Sequence, residues 1–414
     1  MPSSVWSRVA LISLGGFFEF YDIFFTGYIA PGLVRSGILT PTTPGLFGTT
    51  GIAGFVAAMF SGLFIGTALV SFVADRFGRR VIFTYSLLWY TVASVVMAFQ
   101  HHVFGLNLWR FIAGIGVGVE LVTIDAYLSE LVPANLRGRA FAINQAIQFC
   151  AVPVVALLAW LLVPRAPLGL DGWRWVVLLG ASGAILVWWI RLRVPESPRW
   201  LAQHKQGTGR RARGSFAEMW RPPYRIRSIM LIIFNLFQTV GFYGFSNWVP
   251  TLLINRGIAI TSSLEYTFII AIAAPFGPLL AAGITDRFER KWQIVASAFA
   301  IAVSGILFGQ MTAAALLIFF GVLLTLANNV LSFSCHAYQS ELYPTRIRAL
   351  AVGFVYSWSR ISVVFSSFAI GFALDRFGVT GVFTLIAGSM LIVMLAIGLL
   401  GPRTNNLALE TISQ

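Results

Sequence analysis

Six ionisable side chains fall inside long apolar stretches of the chain: Glu19 and Asp22, Arg110, Glu120 and Asp125, and Arg360. A charge in apolar surroundings is costly to hold, so such residues are functional candidates by default. Glu19 and Asp22 are three apart, which on a helix puts them about 60° apart, on one face. Two carboxylates that close in a low dielectric resist double ionisation, so one keeps a proton. Proton carriage is the chemistry this pair could do; the plainer reading is a buried acid neutralised by an arginine, with no proton cycle. Arg110 is the natural partner in either case. Glu120 and Asp125 lie about 140° apart and cannot face one cavity. Asp125 is about 60° from Arg110 and is the cavity-facing candidate, with Glu120 left as a protonated structural acid. Arg360 does not readily lose its proton and needs an anion. That anion is either a distant acid or a carboxylate of a bound molecule, which the planar guanidinium suits.

The elements that must carry these residues are membrane spans. Of the 414 residues, 57% are hydrophobic and only 11% charged, where a soluble domain carries about 25% charged residues. That balance excludes intrinsic disorder, a disulfide scaffold and an ordinary soluble enzyme. The two cysteines, Cys150 and Cys335, lie in apolar runs, which argues against a disulfide. No metal-ligand spacing, phosphate loop or nucleophile triad is visible, so no metal and no cofactor is expected beyond a proton as coupling ion. A span needs about 20 mostly apolar residues. Cutting the chain at charges, prolines and glycine clusters predicts spans at 9–30, 50–73, 81–100, 106–131, 140–163, 173–192, 228–253, 264–285, 291–310, 312–338, 349–373 and 379–401. The expected fold class is therefore an all-α polytopic membrane protein of twelve spans, with both termini on one side.

Charge gives the sidedness. Of 29 basic residues, 22 fall on the side that holds both termini, five on the other and two within spans. Cytoplasmic loops gather Lys and Arg, so the termini are expected inside, in a cell (inner) membrane. The same rule accounts for the net charge of +14 with no nucleic acid as partner. The expected partners are the lipid bilayer and a small-molecule substrate, with the chain acting as a monomer. The sequence is also written twice. Asp75-Arg76-Phe77 recurs as Asp286-Arg287-Phe288, Arg79 and Arg80 as Arg290 and Lys291, Glu130-Leu131 as Glu341-Leu342, Pro133 as Pro344 and Arg137 as Arg348, all at an offset of 211. Two parallel six-span halves follow, 1–192 and 228–414, joined by a cytoplasmic linker at 193–227. Parallel repeats of this kind are the plan of a large class of secondary transporters, with the substrate site between the halves near mid-membrane.

The motifs carry a resemblance. DRFGRR at 75–80 follows the second span, RFIAGIGVG at 110–118 opens the fourth, SELVPANLRGR at 129–139 closes it, and PESPRWL occupies 195–201. In this order they closely resemble the major facilitator superfamily, near its sugar-porter and metabolite–proton symporter branches, over nearly the whole chain. Two departures stand out: Ser71 where the loop motif usually starts with Gly, and Glu289 in place of the Gly of DRxGRR in the second half.

The resemblance implies roles. GGFFEFYD at 15–22 aligns Asp22, and the start of RFIAGIGVG aligns Arg110, with the proton-coupling pair of sugar and metabolite symporters. It also implies a cytoplasmic latch that stabilises the outward-open state, drawn from Asp75, Arg76, Arg79, Arg80, Glu130, Arg137, Glu196, Asp286, Arg287, Arg290, Glu341 and Arg348. The plainer reading of those charges is topology alone. Polar residues on the spans either line a substrate path or bridge helices. The substrate-binding candidates are Asp125, Gln145, Gln148, Gln238, Tyr243, Asn247, His336 and Arg360. Gln145 matches a sugar-binding Gln of the family, but the second Gln is Val152, the first of the seventh-span Gln pair is Phe237, and the sugar-stacking Trp is His336. With Arg360 added, the expectation is proton-coupled uptake of a small organic acid or related metabolite. The alternative is a sugar or polyol porter, and a drug–proton antiporter ranks lower because 140–163 holds one Pro and no Gly.

Overall fold

A computed structural model describes residues 2–40, 42–43, 51–77, 79–132, 137–191, 216–285, 288–344 and 347–404. Among the described residues there are α-helices and short 3-10 turns but no β-strand. The helices are α1 (Pro2–Tyr28), α2 (Ala30–Arg35), α3 (Ala53–Phe77), α4 (Arg79–Ala98), α5 (Val103–Leu131), α6 (Arg137–Phe149), α7 (Ala151–Leu162) and α8 (Gly172–Arg191). They continue as α9 (Tyr224–Ser246), α10 (Val249–Asn255), α11 (Ile260–Ala271), α12 (Phe276–Thr285), α13 (Arg290–Gln310), α14 (Ala314–Glu341) and α15 (Arg348–Leu400). Nine stretches among the described residues are long and apolar enough to cross a membrane.

Each predicted span falls on these helices, but three of them are broken where unbroken spans were expected. The fifth is split between α6 and α7, the seventh between α9 and α10, and the eighth between α11 and α12. All three breaks have one cause. α6 ends at Phe149, α9 at Ser246 and α11 at Ala271, each four residues before a proline: Pro153, Pro250 and Pro275. A proline ring has no N–H for the carbonyl four residues back and clashes with it. The reverse difference occurs at the eleventh and twelfth spans, which both lie in α15 and are separated only by a kink at Gly378. Its backbone, at φ 64° and ψ −163°, is open to glycine alone.

By contacts the chain forms two compact units, one of Met1–Gly209 with Ser246–Pro275 and one of Arg210–Phe245 with Phe276–Gln414. In the first unit α5 packs against α3, α4 and α1. The α3–α5 crossing is set by glycine. A Cβ at Gly62 or Gly66 would strike the α5 backbone at Phe111 or Ile115, and one at Gly114 or Gly118 would strike the α3 backbone at Met59 or Leu63. Small residues on both faces let two helices touch backbone to backbone, which drives helix association in lipid. This is the structural content of RFIAGIGVG. The segment 246–275 also belongs here: α10 packs on α1 and α2, and α11 on α7, with Trp160 and Phe268 stacked at 5.8 Å. In the second unit α13 packs against α14 and α15, and α12 against α14.

Candidate functional site

Asp22 and Arg110 meet. Asp22 sits six residues before the end of α1, and five residues on, at Gly27, a Cβ would strike the backbone carbonyl of Asn247, so α1 is pressed tightly into its neighbours. Arg110 lies in the second turn of α5 and is fully buried. Its Nη1 donates to Asp22 Oδ2 at 2.8 Å, and its Nη2 donates to the Asp22 backbone carbonyl and to Thr26 Oγ1. Its guanidinium lies over the Phe25 ring, 4.3 Å from the centroid. Ser94 on α4 donates to the other carboxylate oxygen, Asp22 Oδ1, at 2.8 Å. A buried charge pair is tolerable only when its remaining donors and acceptors are also met. Here the carboxylate is held at both oxygens, and the two terminal guanidinium nitrogens reach three acceptors, while Nε is buried with no hydrogen-bond partner among the described residues. Breaking that geometry by protonating Asp22 is chemically simple, because one proton cancels the ionic part of the contact.

Other candidates of the first unit lie nearby on the same helices or outside the described part. Glu19 is fully buried one turn before Asp22, and Glu120 is fully buried on α5. The Asp125 side chain lies outside the described residues. Gln148 on α6 is buried against α1, filling the space that a Cβ at Gly16 would need, so the first glycine pair of GGFFEFYD makes room for a polar side chain. Gln145 is partly buried one turn earlier. Asn247 is fully buried in the Ser246–Trp248 break and packs with the first unit, whereas Gln238 and Tyr243 stand partly buried on α9 in the second. The break before Pro250 thus parts the two candidates: Asn247 packs with the first unit and Tyr243 stands on α9 of the second.

In the second unit Arg360 joins two aromatic residues. Its Nη2 donates to Tyr356 Oη at 3.0 Å and its guanidinium lies 4.8 Å from that ring. His336 on α14 meets the same ring edge-on at 5.3 Å. The exposed His336 ring donates from Nδ1 to the Ser332 carbonyl at 2.7 Å, since a carbonyl can only accept. Tyr356 was missed from sequence, although it precedes Arg360 by the four residues that put two side chains on one helix face. Asn235 and Gln339 bridge α9 and α14 at 3.1 Å, and Ser334 donates to Gln293. Those polar residues act as interhelical ties.

Of the latch candidates, Arg290 and Glu341 form an ion pair at 2.5 Å. Glu196, Asp286 and Arg287, and the side chains of Asp75, Arg76, Arg79, Arg80, Glu130, Arg137 and Arg348, lie outside the described residues. Glu289, the departure from the glycine motif, accepts from the Thr404 backbone N–H at 2.9 Å. Lys291 donates to the Gly401 carbonyl and Tyr338 to that of Pro402, each at 2.8 Å, so the chain after α15 is strapped beside the Arg290–Glu341 pair. Just beyond α14, Tyr343 is fully buried and shares a 2.8 Å hydrogen bond with Ser228. Burial pushes its hydroxyl up to about 12.

The model of the sugar (and other) transporter family matches residues 9–229, more than half of the chain, and that of the major facilitator superfamily matches residues 266–411. The chain belongs to the major facilitator superfamily. Among relatives of this transporter, a putative metabolite transport protein of Bacillus subtilis (strain 168) is 30% identical over 94% of this chain and 90% of its own. The niacin transporter of Acinetobacter baylyi is 28% identical over 97% of this chain and 95% of its own, and the gentisate transporter of Corynebacterium glutamicum 26% identical over 95% and 87%. The inward-open xylose transporter XylE from E. coli superposes with a TM-score of 0.78 over 99% of both chains at 22% identity, which shows a shared fold. The protein is thus a multi-pass membrane transporter of this superfamily.

Proposed function

We propose that this transporter carries a small organic acid, of the aromatic carboxylate class, into the cell together with a proton by alternating access. It does so across the inner membrane with both termini cytoplasmic. The buried Asp22–Arg110 contact supports the coupling. With Asp22 ionised the pair is locked by charge and by four hydrogen bonds around it. With Asp22 protonated the ionic part is lost, and the helices that carry the two residues are free to rearrange. A proton is then the cost-lowering ligand for one conformation, and binding energy differs between states as a population shift requires. Two relatives named for niacin and gentisate, both carboxylates on an aromatic ring, support the substrate class. So does the Arg360–Tyr356–His336 cluster, which offers a guanidinium for a carboxylate beside two aromatic faces.

A sugar or polyol porter is the second reading. The sugar (and other) transporter match and the presence of Gln145 and Gln148 on the fifth span favour it. Uptake into proteoliposomes separates the two. Labelled nicotinate or gentisate should accumulate under an inward proton gradient, and labelled xylose should not. The Asp22→Asn variant should lose accumulation and keep exchange of the same label across the membrane. Accumulation of xylose with no transport of either acid would reverse the assignment, and full accumulation by Asp22→Asn would end the coupling role.

A further inference from the structure

Asp22 has two oxygens in different company. Oδ2 takes the Arg110 guanidinium and Oδ1 takes the Ser94 hydroxyl, each at 2.8 Å. Arg110 can only donate, so it cannot accept the O–H of an acid protonated at Oδ2. A serine hydroxyl both donates and accepts, and it turns freely to suit. We propose that Ser94 is the positioning residue of the acid–guanidinium pair: it donates to the ionised carboxylate, accepts from the protonated acid, and so assigns the proton to Oδ1. The step balances simply. An O–H bond of an incoming hydronium ion breaks, leaving water, and one forms at Oδ1; the Ser94 hydrogen turns from that oxygen to the backbone carbonyl one helical turn back, and Arg110 keeps its own protons throughout.

The surroundings of Ser94 fit this role. A cavity of about 10 Å³ is lined by Phe18, Tyr21, Asp22, Tyr90, Ser94 and Gly180, among others. That is close to the smallest space that admits one water molecule, and it lies on the α4–α8 side of the carboxylate. The titratable and charged groups around Asp22 are few. α5 offers Arg110, α1 offers Glu19 and Tyr21, and α4 offers Tyr90. The Tyr21 hydroxyl is committed to the Val176 carbonyl at 2.6 Å. From α8 only Val177, Gly180, Ala181 and Ala184 face the cavity. Ser94 is therefore the hydroxyl in direct contact with the oxygen that Arg110 leaves.

This inference rests on Asp22 being the coupling acid, and the test separates the two. Infrared titration of the full chain in liposomes needs no substrate. The band to follow is the protonated-carboxyl stretch that Asp22→Asn removes. A hydrogen bond to an ionised group is about twice as strong as one to a neutral group. Ser94→Ala should therefore let the acid keep its proton to higher pH, moving the midpoint alkaline by about one pH unit. The carbonyl band should also move to higher frequency. Ser94→Thr, which keeps the hydroxyl, should restore the midpoint, and Ser94→Cys, a weaker donor, should fall between. A merely structural serine would change the amount of folded protein and leave the midpoint in place. If the band is present and Ser94→Ala does not move it, the assignment of Ser94 falls while coupling at Asp22 stands. If Asp22→Asn removes no titrating band, the coupling role falls and takes this inference with it.

Discussion

Set position against position at the offset of 211, the two repeats part company at the charges. Where the first has Glu19, Asp22, Ser94 and Arg110, the second has Met230, Ile233, Gly305 and Gly321. Met230 is fully buried, and Gly305 only makes room for the Phe383 ring. Conversely, Arg360 of the second repeat answers to Phe149 of the first, which packs edge-on against Phe20 at 5.1 Å. The helix-packing scheme is common to both: Gly66 and Gly118 map onto Gly277 and Asn329, and Gly277 sits against the Asn329 side chain. Duplication thus supplied a scaffold twice, while Arg110 and Arg360 each stand in one repeat only and in different settings. Arg110 is held by a carboxylate; Arg360 donates to the Tyr356 hydroxyl. The first suits a switch and the second suits a docking point.

The sharpest way to break that contrast is to unbalance the locked pair. Arg110→Ala leaves an acid buried without its counter-charge, which costs about 3–5 kcal/mol. A large drop in thermal midpoint in detergent is expected, and Asp22→Asn in the same background should recover part of it. Next comes packing. Gly114→Ala pushes a Cβ into the α3 backbone and should cost about 1–3 kcal/mol, whereas Thr325→Ala at the matching position of the second repeat should be close to neutral by the same melting assay. Equal costs would mean that the first crossing is no tighter at this position than the second. Arg360→Lys keeps the charge and loses the planar fork, so KM for nicotinate should rise about ten-fold with the accumulation ratio unchanged. A collapse of accumulation would instead make Arg360 part of the switch.

Smaller effects are expected at the cytoplasmic end. Arg290→Gln or Glu341→Gln removes a partly exposed pair worth about 0–1 kcal/mol, so turnover should change by no more than about five-fold and the difference should shrink in high salt. The smallest is at Tyr343. Its proton is held to about pH 12 in the fold and to about 10 in an unfolded chain. Stability from this group is therefore intact below about pH 10 and is lost as pH rises from there toward 12. Tyr343→Phe should flatten that alkaline limb of the melting curve.

Much of this was legible in the sequence because a membrane leaves few choices. Charges punctuate the spans and mark out four acids and two arginines in apolar runs, and the resemblance of GGFFEFYD and RFIAGIGVG to the family motifs implies the pairing of Asp22 with Arg110. The breaks in the fifth, seventh and eighth spans were written in Pro153, Pro250 and Pro275, but hydropathy averages over a single proline and reads each span as whole. Ser94 could not be picked out, since one serine among many carries no mark until its oxygen neighbour is known. The strap on Glu289 is of the same kind: the residue was noticed as a missing glycine, and its gain, a backbone N–H at Thr404, lies 115 positions away.

The segment 246–275 is encoded after the linker yet is built into the first unit. A gene cut between residues 193 and 215 would therefore give a second polypeptide that brings with it a piece the first one lacks. Two such fragments made in one cell should find each other without any added tether, and the amino-terminal fragment made by itself should leave part of α1 and α7 uncovered, a ready target for membrane quality-control proteases.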